Sequence, residues 1–406
     1  MGVGGQDETA FAFEGQLVEF VPIALTNIVL TFATLGIYRF WATTRERAYF
    51  WSRTRFIDAP LEWTGKGIEL FIGFVIAALL FGLPFLVFNL ILQGLILQGQ
   101  PRVAGLLLFG VYILLLFLAG IAIFRGLRYR LSRTSWRGIH GGSDDNGVAY
   151  GGAYLGKTAV GFLAAGLLIP WSMTALWRDR WSRMSFGPHG FESQPTWTKL
   201  MGRYLIAYLS PFIILIGIVI AAIPLLMVAG TQMQPGSAPP PAAMLAIISL
   251  VLLGFYVIWP LAALAYYSAY TREVIGTLRL STLEFAFTAR TRHWIALFLG
   301  NAGIWLLAIA IAAVPIVAFG LFQQMIPTMP GASPIRENPI AYIALVVALI
   351  VPFAIVGPFI RYRNWRFFIR HMEAGGEIDI AALTQSQTAG MTQGEGLLDA
   401  FDMGAI

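Results

Sequence analysis

With no cysteine, nitrogen or sulfur ligation of a metal in this chain would fall to four histidines, His140, His189, His293 and His371. A zinc site on one helix needs two ligands on the same face, as in His-Glu-x-x-His. No two of the four stand four residues apart, and all lie in arginine-rich segments. Neither a Gly-x-Ser-x-Gly turn nor a phosphate-cradling glycine loop occurs. Gly141-Gly142-Ser143-Asp144-Asp145-Asn146-Gly147 has the oxygens and glycines of a calcium loop, but lacks the spacing and closing glutamate of an EF-hand, and reads as a turn. The sequence therefore predicts no enzyme, no metal and no cofactor.

Two other sets of polar residues remain. Asn27, Thr31, Thr34 and Asn301 stand inside apolar runs. Amides and hydroxyls there serve as hydrogen bonds between helices; the alternative use is to line a cavity, and these four are the cavity candidates. Three arginine pairs, Arg45 with Arg47, Arg178 with Arg180 and Arg361 with Arg363, adjoin aromatic residues such as Trp41, Trp51, Trp177 and Trp181. Arginine among Trp and Tyr suits the headgroup level of a bilayer. A planar guanidinium also grips phosphate with two hydrogen bonds, where lysine offers a point charge. The pairs are thus either plain interfacial anchors or contacts for the phosphate of membrane lipids, anionic ones foremost.

The elements that must position these residues are apolar. Hydrophobic residues make up 57% of the 406 and charged ones 12%, against about a quarter charged in soluble domains. The net charge of +6 does not point to nucleic acid, since the basic residues flank apolar runs. Eight runs approach the roughly 20 residues needed to cross hydrocarbon: 17–41, 70–92, 104–124, 154–176, 204–229, 244–267, 294–322 and 340–359. Of 27 basic residues, 25 fall on one set of connections, and the other set, 94–103, 230–243 and 323–339, holds only Arg102 and Arg336. By the positive-inside rule the basic connections and the C-terminus face the cytoplasm. Eight plain crossings would put Arg178, Arg180, Arg183, Lys199 and Arg203 outside. The conflict disappears if 17–41 and 154–176 turn back, at Thr34-Leu35-Gly36 and between Gly166 and Pro170. The predicted fold is an all-α polytopic membrane protein with six full spans and two re-entrant or broken segments; eight plain spans are the alternative.

An apolar run with a Gly or Pro break, Arg-x-Arg, aromatics and an acid recur in this order three times, ending at Glu62, Glu192 and Asp379. This divides the chain into three parallel pseudo-repeats, 1–152, 153–286 and 287–380, and a cytoplasmic tail, 381–406. In the third, Asn301 parallels Asn27 and Arg361 parallels Arg45. Met1 to Glu19 has four acids and no Lys or Arg, unlike a signal peptide, so the first apolar run is expected to stay in the mature protein. From Met372 onward the chain is polar, glycine-rich and acidic, a composition that does not fold alone. Leu397, Leu398 and Phe401 form a short apolar cluster there, predicted to dock on the chain's own basic face or on a cytosolic partner.

Phe11-x-Phe13-x-Gly15, the string from Asn27 through Leu30-Thr31, Thr34-Leu35-Gly36-Ile37-Tyr38 and Trp41-Ala42 to Arg45-x-Arg47-x-Tyr49, and Arg133-Thr134-Ser135-Trp136-Arg137-Gly138-Ile139 resemble the bacterial DUF898 family. The ending Gly394-Glu395-Gly396-Leu397-Leu398-Asp399-Ala400-Phe401-Asp402 is similar to one in alphaproteobacterial relatives. The resemblance implies a bacterial inner-membrane protein, supplies no activity, and adds a membrane peptidase as a class of partner. Two functions follow: an uncoupled transporter or channel for a small solute or lipid, or a non-catalytic adaptor that binds lipid or a partner protein.

Overall fold

Every pair of helices in this protein begins and ends on a small β-sheet. The computed structural model describes residues 10–231, 241–325 and 339–376, and one pattern, strand–helix–helix–strand, fills them five times over. The first unit is β1 (Phe11–Phe13), α1 (Leu17–Ala33), α2 (Arg39–Ser52) and β2 (Thr54–Phe56). The second is β3 (Ala59–Trp63), α3 (Gly67–Leu97), α4 (Pro101–Arg133) and β4 (Thr134–Trp136). The third is β5 (Ile139–Gly142), α5 (Val148–Leu163), α6 (Ile169–Trp181) and β6 (Ser185–Phe186). The fourth is β7 (His189–Ser193), α7 (Thr198–Thr231), α8 (Pro241–Leu253 continued through Gly254–Ile258 and Trp259–Gly276) and β8 (Leu278–Leu280). The fifth is β9 (Leu283–Phe287), α9 (Thr291–Met325), α10 (Pro339–Arg370) and β10 (Met372–Gly375).

The strands pair antiparallel in chain order, β1 through β10. Consecutive units are joined by two-residue turns, Ile57-Asp58, Arg137-Gly138, Gly187-Pro188 and Ser281-Thr282, whose first residues take φ between 52° and 57°. Positive φ at that position matches a tight turn to the twist of its strands. Strand faces alternate: Leu283 and Phe287 are buried and Glu284 exposed, and Phe191 is buried beside exposed Glu192. The sheet's ends meet, since β1 contacts β10 and the Phe11 and Phe285 rings lie 6.4 Å apart. The middle is filled by one cluster, including Phe56, Trp136, Met184, Phe191, Leu280 and Leu283, to which helix residues Phe124, Tyr150 and Leu176 add.

The helical class is as expected from composition, but the all-α description omits this sheet. Its strands are two to five residues long, and two of the four turns lack glycine, so the aromatic-rich stretches carry no sequence signal of a sheet. The tail reading is also corrected at its start. Met372–Gly375 is a strand, because β9 offers it a complete edge with Ala374 opposite Phe285.

Among the described residues six helices are long and apolar enough to cross a membrane: Gly67–Leu97, Pro101–Arg133, Thr198–Pro224, Met244–Gly276, Thr291–Gly320 and Leu345–Arg370. At 1.5 Å per residue even the shortest spans about 39 Å, so each overshoots a hydrocarbon layer of about 30 Å. The overshoot lies at the sheet, where the arginines gather. Two helices pass through a wider turn, Ala78–Gly82 and Gly254–Ile258, just before Pro84 and Pro260, which cannot donate to the helical ladder. The remaining helix pairs, α1/α2 and α5/α6, are 13 to 17 residues per helix and reverse within five residues. Leu35-Gly36 and Ala165-Gly166 take positive φ there, 52° and 91°, then 50° and 81°.

Candidate functional site

In three of the five units the first helix places a polar residue at about its eleventh position, and the second helix answers it. Asn27 is buried; its Oδ1 accepts from Arg45 Nη1 at 3.2 Å and its amide donates to the Ala42 carbonyl at 3.3 Å. Arg45 Nη1 also donates to the Tyr38 hydroxyl at 3.1 Å. In the fifth unit Asn301 Oδ1 accepts from Arg363 Nε at 3.1 Å, and its amide donates to Asn364 at 3.0 Å. In the third unit Lys157 pairs with Asp179. The counterpart of Arg45 is therefore Arg363, two residues beyond the Arg361 that sequence spacing selects. Arg45 and Arg363 each stand seven residues before their helix end, Ser52 and Arg370.

The other cavity candidates are occupied inside the hairpin. Thr31 donates to the Asn27 carbonyl at 2.6 Å, and Thr34 donates to the Leu30 carbonyl at 2.8 Å while accepting from the Tyr38 N–H at 2.9 Å. Of the paired arginines, Arg361 grips Glu46 with Nε at 2.8 Å and Nη2 at 3.1 Å. The Glu46 side chain is 5% exposed, so this pair is an internal tie between the first and fifth units. Arg47 is buried over the Trp63 ring, 5.0 Å from its centre. Arg180 lies over Trp177 at 5.4 Å, and Arg178 is half exposed, 3.7 Å from Asp179. Two placements differ from the apolar-run reading. Lys157 is ten residues into α5 rather than at a segment end, because the helix starts at Val148, and Arg39 stands at the reversal, stacked on Phe40 and Phe74. Leu397, Leu398 and Phe401 lie outside the described residues.

The glycine-rich stretch before α5 is a pair of Asx turns that lead into the helix at Gly147. Gly147 N–H donates to Asp145 at 2.8 Å, Val148 N–H to Asn146 at 3.0 Å, and Arg183 pairs with Asp145. Burial works against the Asp145 carboxylate, but the Gly147 N–H, Arg183 and Arg128 outweigh it and hold its pKa below the ordinary value.

Sequence reasoning missed one further cluster. Arg203 of α7, Arg272 of α8, and Arg290, Thr291 and Arg292 at the start of α9 line a cleft of about 490 Å³ with Thr288. These residues are spread over 90 positions, and no local motif links them.

A family described as "Bacterial protein of unknown function (DUF898)" matches residues 8–400. The chain belongs to the DUF898 family. A relative within reach of this DUF898 chain is "Inner membrane protein YjgN" of Salmonella typhimurium, 29% identical over 130 residues, which are 32% of this chain and 30% of the relative. No solved structure matches. Family membership and the six long apolar helices make the protein an integral membrane protein.

Proposed function

We propose that this is an inner-membrane protein that moves lipid between leaflets without coupling to an ion gradient. The inner membrane is the address carried by the YjgN relative's name, and the sheet with its arginines faces the cytoplasm by the positive-inside rule. The observation that carries the reading is the pair of half-length hairpins. Their tips expose Phe32, Leu35 and Ile37 in one, and Phe162, Leu163 and Leu167 in the other, the residues of a surface that meets lipid. The non-helical backbone of the second tip is also supplied with donors: Tyr204 OH donates to the Gly166 carbonyl and Tyr208 OH to the Ala165 carbonyl, both at 2.6 Å. Irregular backbone at membrane depth is tolerated only when protein or water satisfies it.

The re-entrant reading and internal repetition support each other. A shift of 130 residues carries Leu35-Gly36 onto Ala165-Gly166, Ile57 onto Gly187, and Ala59–Trp63 onto His189–Ser193 without a gap. The repeating unit is then one strand–helix–helix–strand module; residues 11–136 and 139–280 each pair a short module with a long one, and 283–375 is a long one alone, so bounds at 152 and 286 fall inside α5 and β9. Short modules standing beside long ones leave the bilayer thinned above each tip. The clasp Asn27–Arg45 puts polar atoms partway into that depth, a ledge for a passing headgroup. Solute conduction has less support, because the centre of the sheet is filled by Trp136, Leu283 and their neighbours. Proton coupling has little, because arginine does not release its proton and Lys157 is tied to Asp179.

Proteoliposomes carrying a fluorescent phospholipid test the reading. The expected result is reductant access to inner-leaflet label, slowed by Asn27→Leu, which releases the exposed Arg45 from its clasp. Access at the rate of protein-free vesicles overturns it and leaves the adaptor reading, for which the filled sheet centre is equally suitable. Repeated recovery of one membrane protein, such as a peptidase, with the purified chain then decides for the adaptor.

A further inference from the structure

We infer that the cleft of Arg203, Arg272, Arg290 and Arg292 is a binding site for a phosphate group, independent of whether the protein moves lipid. Four guanidinium groups and two hydroxyls, Thr288 and Thr291, line this cleft, and no carboxylate does. Among the described residues none of the four arginines has a carboxylate within ion-pair distance, although ion pairs fix Arg53, Arg55, Arg133, Arg137, Arg183, Arg279 and Arg361 elsewhere. Like charges that share a cleft repel one another, and they persist where an anion completes them.

The cleft is built as well as charged. Arg272 Nη1 is held by the Ser268 hydroxyl and the Ala289 carbonyl, both at 2.8 Å, and the fully buried Ser268 is itself bonded to Thr291 at 3.2 Å. One guanidinium is thereby fixed while Arg203, Arg290 and Arg292 stand exposed around it. Thr291 is also the first residue of a 35-residue helix, whose opening N–H groups and dipole favour an anion at that end. All of this sits at the sheet-side ends of three long apolar helices, the level of lipid headgroups. The planar fork of arginine matches the paired oxygens of an anion, and at headgroup level the anion at hand is phosphate. A volume of about 490 Å³ admits a phosphate ester and not only the bare ion.

The test uses the full chain in detergent, with R290Q/R292Q as the variant, since both side chains are exposed and outside the Arg272–Ser268–Thr291 contacts. Binding is titrated with phosphatidylglycerol in mixed micelles in one arm and with inorganic phosphate in the other, and with diacylglycerol as the phosphate-free control. The expected result is saturable binding of at least one phosphate probe, none of diacylglycerol, and a loss of roughly 25-fold in the variant, about fivefold for each guanidinium. R290K/R292K, which keeps charge and loses the fork, should recover part of that loss. Binding in the lipid arm alone assigns the site to a headgroup, and binding in both assigns it to phosphate in general. Equal affinity of wild type and R290Q/R292Q, or no binding in either arm, overturns the inference.

Discussion

Tyr204→Phe with Tyr208→Phe removes two hydroxyls and little else, which makes it a measurement of where the α5/α6 tip resides. Each hydroxyl donates at 2.6 Å to a carbonyl of the reversal, Gly166 and Ala165 respectively. In hydrocarbon a carbonyl that loses its donor keeps the full cost of desolvation, about 1–3 kcal/mol each, so the double variant should lose about 2–6 kcal/mol. In water the freed carbonyls are solvated and only the small net value of each bond is lost, about 0.5–1.5 kcal/mol. The two environments differ most in the coupling of position and medium. The assay is the midpoint of SDS-induced unfolding for wild type, both single variants and the double variant, after reconstitution in a bilayer. Thr34→Val, which loses the acceptor for the Tyr38 N–H at 2.9 Å, provides the same measurement at the other tip. A double variant that loses less than about 2 kcal/mol, which only solvated carbonyls allow, would refute the placement of the tip at membrane depth.

Other outcomes follow from the same contacts. Because the chain has no cysteine, Gln98→Cys should react with an impermeant thiol reagent from the periplasmic side and Glu192→Cys should not; the reverse pattern inverts the orientation. Arg361→Ala strands the buried Glu46 carboxylate and should cost about 2–3 kcal/mol in chemical denaturation, with Glu46→Gln, Arg361→Ala less affected than Arg361→Ala alone. Asp145 has a folded pKa below its unfolded one, so the stability it contributes is complete above the ordinary carboxylate value of 3.8 and is lost as pH falls through the folded value; Asp145→Asn should flatten the pH dependence of stability in that acid window. Deleting Gly394–Ile406 should leave membrane insertion intact and reduce activity or partner recovery, measured side by side with the full chain.

The long apolar runs and the sorting of arginine to one set of connections were legible because both obey the bilayer, a constraint that acts on composition. The reversal at Leu35-Gly36 was legible for a different reason: a plain crossing there contradicted the charge rule. The sheet was not, because strands as short as Ser185–Phe186 carry too few residues to show a period of two, and Ile57-Asp58 does not announce a primed turn. The error of two residues at Arg361 has a similar origin. Sequence spacing aligned one arginine pair with another, whereas the helix presents Arg363 to Asn301 and turns Arg361 toward Glu46. The arginine cleft depends wholly on tertiary contact, since α7, α8 and α9 bring together residues that no window of sequence contains.

The seam between β1 and β10 imposes an order on biosynthesis. A chain leaves the ribosome from its N-terminus. Glu46 is made 315 residues before the arginine that neutralises it, and β1 before the last helix, which packs on it. Tyr362, which donates to the Gly15 carbonyl at 2.9 Å, and Trp365, which donates to Thr54 at 3.0 Å, arrive in the same last stretch. Until then the nascent protein carries an uncompensated carboxylate and a first strand without the helix that covers it. A chain cut short before Arg361 keeps the acid unneutralised and the first strand uncovered, so the fold closes only with its last helix.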